Sequence, residues 1–193
     1  MRKHPGVADY LTSIAKALKG AGVRWYVFGA QAVVAAGAVR VTADIDITTE
    51  DVPVELLRGV LKKAGFVVRS DIADVEALIE HHRILPLEHS VTGMQLDVVR
   101  AGPGPEEDML QRVVLRRVGR VSIPFVSTND LLVLKTLAGR EKDLEDIRAL
   151  VRSASDEIDV AVVRRRLDEI ASLIDDSTLR ALFDDQLKKA RRG

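Results

Sequence analysis

The sequence predicts an α/β (α+β) fold, a mixed-sheet core followed by a C-terminal helical subdomain, and three observations predict it. Short β-rich runs alternate with helical stretches over the first hundred or so residues. Two strand-like runs, Ile84 to His89 and Met94 to Arg100, then stand side by side across a turn at Thr92-Gly93, which a strictly parallel alternation does not contain. The last sixty or so residues read as helix to the end.

The elements follow in order. Leu11, Ile14, Ala15 and Leu18 recur at helical spacing between Val7 and Lys19, and Gly20 and Gly22 end that helix. Val23 to Phe28 is a β-rich run punctuated by Gly29, and a small-residue helix follows in Ala30 to Ala38. From Thr42 to Thr48 the chain alternates, with Ile45 and Ile47 on one face and Asp44 and Asp46 on the other. Pro53 opens a helix with Leu56, Leu57, Val60, Leu61 and Ala64 on one face, and Gly65 stops it. A strand over Phe66 to Ser70 and a short helix over Asp74 to Glu80 precede the strand pair. The turn-rich stretch AGPGPEED supplies the expected boundary near residue 103, giving a core of residues 1–103 and a mainly helical part of residues 104–193. That second part opens with a short helix, Pro105 to Arg112, and the strand-like runs VVLRRV and VSIPFV.

Composition narrows the chemistry. Hydrophobic residues make up 47% of the 193, enough for a packed core. Lys plus Arg equals Asp plus Glu at 29 each, which is not the balance of a strongly basic nucleic-acid binder. The chain has no Cys, so disulfides, thiolate metal sites and Cys nucleophiles are excluded. Any metal is then held by oxygen or imidazole, and oxygen suits Mg²⁺ or Mn²⁺. The start MRKHPGVADYLTS lacks the apolar stretch of a signal peptide, and the apolar runs fall short of the roughly 20 residues that span a bilayer. The expectation is a cytoplasmic protein.

Asp44 and Asp46 are the first chemical signal. Separated by one residue on a strand, they share a face, with Cα atoms roughly 6.5 Å apart. Two such carboxylates can converge on one hard divalent cation, although D-I-D is equally the solvent face of an edge strand. Asp97 lies in Gln95-Leu96-Asp97-Val98-Val99, otherwise a buried run. A carboxylate there is costly unless paired or metal-bound. Phe28-Gly29-Ala30 leaves a strand for a helix, where backbone N–H groups can meet a phosphate. His81 and His82 are adjacent, so their rings diverge, and neither has an evident metal partner.

Gly29-Ala30, then Arg40-x-Thr42-x-Asp44-x-Asp46, then Asp97 in an apolar strand, resembles the DNA polymerase β-like nucleotidyltransferase superfamily. Leu131-x-x-x-Lys135-x-x-x-x-Arg140-x-Lys142-Asp143-x-x-Asp146-Ile147 resembles the downstream motif of the AbiEii-type toxin nucleotidyltransferases. The resemblance spans roughly residues 23 to 150 and departs at Ala30, where these enzymes usually carry Ser or Gly. It implies a nucleotidyltransferase core whose cleft for NTP is completed by the helical part. It assigns Asp44, Asp46 and Asp97 to Mg²⁺ or Mn²⁺ and to catalysis, and Gly29, Ala30, Lys135, Arg140, Asp143 and Asp146 to NTP binding. The reaction implied is attack of an acceptor hydroxyl on the α-phosphate with release of pyrophosphate. The AbiEii-type likeness implies an RNA acceptor such as a tRNA 3′ end, in a toxin–antitoxin setting with an antitoxin partner. The alternatives are a small-molecule acceptor such as an antibiotic and a non-catalytic NTP-binding or antitoxin protein. Arg112, Arg116, Arg117 and Arg120 fall within nine residues and are the candidate RNA contacts, with a solvated face as the simpler account.

Overall fold

The computed structural model describes residues 5–192; the basic start, Met1–His4, lies outside them. The chain forms two compact units, one running up to Gln31 and resuming over Thr42–Val126, the other made of Ala32–Val41 and the chain from Ser127.

The seven strands found among the described residues all belong to the first unit. They are β1 (Trp25–Phe28), β2 (Asp44–Thr49), β3 (Phe66–Val68), β4 (Ile84–His89), β5 (Gln95–Arg100), β6 (Val114–Val118) and β7 (Val121–Phe125). They make one sheet in the order β3-β4-β5-β2-β1-β7-β6. β2 runs parallel to β5, and β1 parallel to β7. The remaining neighbours are antiparallel, so the sheet is mixed.

Strand alternation explains both the core and the site. Ile45 pairs with Leu96 and Leu96 with Leu87; Ile47 pairs with Val98 and Val98 with Leu85. These six side chains share one face and are almost wholly buried. Helix α1 (Val7–Gly20) and helix α3 (Val54–Lys63) turn Leu11, Ile14, Leu18, Leu57 and Leu61 inward. α3 packs on β3, and α1 on α3 and β7. Each buried aliphatic side chain contributes about 1.5–3 kcal/mol. A one-residue slip of β2 would turn both isoleucines out and drive Asp44 and Asp46 into the core. The hydrophobic face therefore fixes which way the aspartates point.

The remaining helices of the unit are short. α4 (Val75–His82) is capped by Asp74, whose Oδ1 accepts from Ala77 N at 2.9 Å. α5 is Pro105–Leu110, with Pro105 in the first turn. Helix α2 (Gly29–Ala35) begins in the first unit and continues into the second.

The second unit is helical: α6 (Thr128–Ala138), α7 (Glu141–Ser153), α8 (Val160–Ile174) and α9 (Leu179–Arg192), with a 3₁₀ turn at Ser155–Glu157. α7 packs on α6 and α9, and α8 on the same two. Leu131, Leu132, Ile147, Leu150, Val163, Leu167 and Phe183 form its core.

The sequence placed a boundary near residue 103, but packing divides the chain after Val126. The reason is β7. Its Phe125 pairs with Val27 of β1, and Val126 N donates to Val27 O at 2.9 Å, so the hairpin after residue 112 completes the sheet. No helix among the described residues is long and apolar enough to cross a membrane.

Candidate active site

The three aspartates stand together on the sheet. Asp46 of β2 is the direct partner of Asp97 in β5, and Asp44 lies two residues before Asp46 on the same face. Antiparallel pairing of β1 places Phe28 opposite Asp46, which brings the end of β1 beside the carboxylates.

Gly29 is built around Asp46. Its φ is +63°, a conformation that L side chains rarely adopt. A Cβ at this position would lie 2.0 Å from Asp46 Oδ2. The sequence motif left room for a phosphate at Gly29; in the structure a carboxylate takes the space next to that backbone. Ala30 follows within α2, half-buried and without a hydroxyl to offer.

Asp44 is more exposed and is held locally. Its Oδ1 accepts from the Thr42 hydroxyl, and its backbone carbonyl accepts from Gln31 Nε2 at 3.2 Å. Asp97 is half-buried. Burial is the main force raising its carboxyl above the ordinary Asp value; the Arg69 charge opposes this and the Asp44 charge adds to it. Arg69 is fixed by a two-pronged contact with Asp71, Nε to Oδ1 at 3.0 Å and one terminal nitrogen to Oδ2 at 2.7 Å.

As they stand, these side chains share a face without closing on a point. Among the described residues no three acidic or imidazole side chains are gathered closely enough to hold an ion. The Thr42 contact keeps Asp44 on its own end of β2. The donor set nevertheless suits a hard cation: three carboxylates on one face, one of them half-buried and raised in pKa chiefly by that burial.

The downstream residues form a separate cluster within the second unit. Lys135 Nζ lies 2.9 Å from Asp143 Oδ1 and 2.8 Å from Asp146 Oδ2, and all three residues are buried. Arg140 Nε reaches Asp143 Oδ2 at 2.5 Å, and Arg40 Nε stands 3.1 Å from Asp146 Oδ1. Arg40 Nε and Asp146 Oδ2 are close to their ionic partners without hydrogen-bond alignment. Burial works to raise the Asp143 carboxyl, but hydrogen bonds from Arg140 and Lys135, with their charges, outweigh it and hold the group below the ordinary value. Asp143 and Asp146 thus orient Lys135, Arg140 and Arg40.

The four arginines do not make one patch. β6 pairs Arg116 with the buried Ile123 and Arg117 with the exposed Ser122, so the two side chains leave opposite faces of the strand. Arg117 Nε donates to Gly119 O at 3.3 Å, and Arg120 follows the turn at Gly119. Arg112 lies before the strand and is half-buried. β6 is the sheet edge, where charged side chains discourage pairing with other chains.

Sequence reasoning named neither Arg69 nor Gln31. Arg69 follows the short strand β3, and its parity with Val67, partner of Glu88, would have placed it on the aspartate face. For Gln31 the sequence holds no comparable signal.

The family described as nucleotidyl transferase of unknown function (DUF2204) matches residues 7–183. No curated protein matches the chain. Two solved structures share the fold. One is the solution structure of the antibiotic-resistance factor ANT(2'')-Ia, with TM-score 0.61 and 14% identity, covering 87% of this chain and 94% of the other. The other is the crystal structure of ANT(2'')-Ia in complex with adenylyl-2''-tobramycin, with TM-score 0.56 and 14% identity, covering 93% and 97%.

Proposed function

The chain belongs to this nucleotidyl transferase family, and on that premise we propose that it moves a nucleotidyl group from an NTP to a hydroxyl of a small polyhydroxylated molecule. The observation that carries the site is the in-register pairing of Asp46 with Asp97, with Asp44 on the same face beside Gly29. Asp44, Asp46 and Asp97 would hold Mg²⁺ or Mn²⁺. When bound, the ion supplies charge neutralisation on the phosphate oxygens.

The residues do the rest. Asp46, fixed against Gly29, sets the position of the carboxylate pair. Asp97, whose carboxyl burial raises above the ordinary Asp value, takes the proton of the acceptor hydroxyl. The hydroxyl oxygen bonds to the α-phosphorus, and the bond from that phosphorus to the oxygen bridging to the β-phosphate breaks, releasing pyrophosphate. The Arg69 charge opposes the effect of burial and favours the ionised form of Asp97. Within the second unit the Lys135 ammonium is engaged by two carboxylates and positions them.

Two observations favour a small acceptor. The arginines of β6 diverge, so they do not build the continuous cationic track that a nucleic-acid strand needs. The shared fold of ANT(2'')-Ia, seen with adenylyl-2''-tobramycin, supports the same acceptor class. The test incubates the protein with each NTP labelled at the α-phosphate, Mg²⁺, and either an aminoglycoside panel or total RNA, with Asp46→Asn as control. Label on a small molecule, lost in the control, is the expected result. Label on RNA alone would transfer the reading to the AbiEii-type acceptor, and no D46N-sensitive label on either would overturn it.

A further inference from the structure

We propose that the first unit carries a second, non-catalytic ligand site that takes a nucleoside phosphate. A groove of about 750 Å³ is lined from α1, the start of β1 and the β6–β7 hairpin, and by no residue of β2 or β5, the strands of the aspartates. Ala15, Val23, Trp25, Val121 and Pro124 supply its apolar lining, and Thr12 and Ser122 are among its polar residues. Its charged lining is Lys16, Lys19, Arg24 and Arg120, and no acid lines it.

The cations are largely uncompensated. Arg24 is neutralised by Glu50 at 2.8 Å, with Glu107 at 3.9 Å. Lys16, Lys19 and Arg120 take part in no ion pair among the described residues, in a chain whose formal net charge is zero. Lys19 alone has a structural reason to be there, since it sits in the last turn of α1 and complements the helix dipole. Three like charges around one concavity repel one another, and a multivalent anion relieves that repulsion.

The shape selects the class. A concave site with apolar walls and a few convergent polar groups is the form of a small-molecule pocket. A phosphate backbone would need an extended polar track instead. The ligand that satisfies both features has a weakly polar body against the apolar lining and a polyanionic group among the cations. The site stands independently of the catalytic reading, because it shares no residue with it.

Trp25 is the chain's one tryptophan, so intrinsic fluorescence reports this groove directly. The full chain is titrated in EDTA with ATP, adenosine and inorganic tripolyphosphate, alongside Lys16→Glu, Arg120→Glu and Asp46→Asn. Thermal midpoints near wild type confirm that each variant is folded. The expected result is saturable binding of ATP, at least tenfold weaker in K16E and R120E, unchanged in D46N, and weakened by salt. Adenosine and tripolyphosphate should each bind at least tenfold more weakly than ATP. The absence of saturation with ATP, loss of the signal in D46N, or indifference to both charge reversals would overturn the proposal. So would tripolyphosphate or adenosine binding as tightly as ATP.

Discussion

Replacing Asp97 with Asn should stabilise the metal-free protein while abolishing transfer. Asp46 and Asp97 are cross-strand partners in parallel strands, which lie about 4.8 Å apart. Two carboxylates at roughly 5 Å repel by about 0.8 kcal/mol in water and about 3 kcal/mol at an effective dielectric of 20. Burial and the Asp44 charge raise the Asp97 carboxyl, and Arg69 only partly offsets them. Its ionised form therefore costs the fold free energy at neutral pH, and an amide of the same shape removes that cost. A gain of about 1–2 kcal/mol is expected. At about 2–4 °C per kcal/mol for a chain of this length, the midpoint should rise by roughly 2–8 °C. The assay is thermal denaturation in EDTA, repeated with Mg²⁺. Mg²⁺ at tenfold over its dissociation constant should stabilise wild type by about 1.4 kcal/mol and leave D97N nearly unmoved. A lower midpoint for D97N in EDTA would refute the reasoning, because hydrogen bonds made by the carboxylate would then outweigh the repulsion.

Three other perturbations test the remaining parts. Gly29→Ala should lower transfer by about 100-fold or more, since the added methyl meets Asp46 Oδ2 and a displacement of about 1 Å costs that much; its left-handed backbone adds about 1–2 kcal/mol of strain, read by thermal melting. Lys135→Met should destabilise by about 3 kcal/mol because it leaves two buried carboxylates short of a cation, and addition of Asp146→Asn should restore part of the loss. A K135M protein that melts like wild type yet fails to bind NTP would return Lys135 to phosphate contact. Asp143, held below its ordinary value, contributes stability that is present above about pH 4 and lost as pH falls through its folded value; Asp143→Asn should flatten the acid side of the stability profile measured by denaturant titration.

Much of the fold was legible because strand periodicity and buried charge are local signals. Ile45 and Ile47 against Asp44 and Asp46 state the register of β2 outright, and Asp97 among Leu96, Val98 and Val99 states that of β5. That these strands are neighbours was an inference from chemistry, and the pairing agrees with it. The boundary near residue 103 was misplaced because glycine and proline mark a turn, not a change of unit. What joins β7 to the sheet is a parallel pairing with β1 across about a hundred residues, and no local pattern encodes it. The arginines were grouped by spacing along the chain, whereas strand parity separates Arg116 from Arg117.

Lys135 shows most clearly how an apolar context differs from a ligand site. A lysine amid Leu131, Leu132 and Leu134 has to reach a counter-charge, and the resemblance assigned it to NTP binding. The fold supplies Asp143 and Asp146 first: both lie within 2.9 Å of Nζ and are themselves buried. A substrate phosphate would have to displace a partner that cannot leave, because α6 and α7 pack on each other around it. Arg140 and Arg40 each approach a single carboxylate of the pair. Lys135 is the most deeply buried of the three cations, whereas the Arg40 and Arg140 side chains are 29% and 61% exposed. It follows that K135M should lower the melting midpoint more than Arg140→Met does. The opposite ordering would show that Arg140 is the structural member.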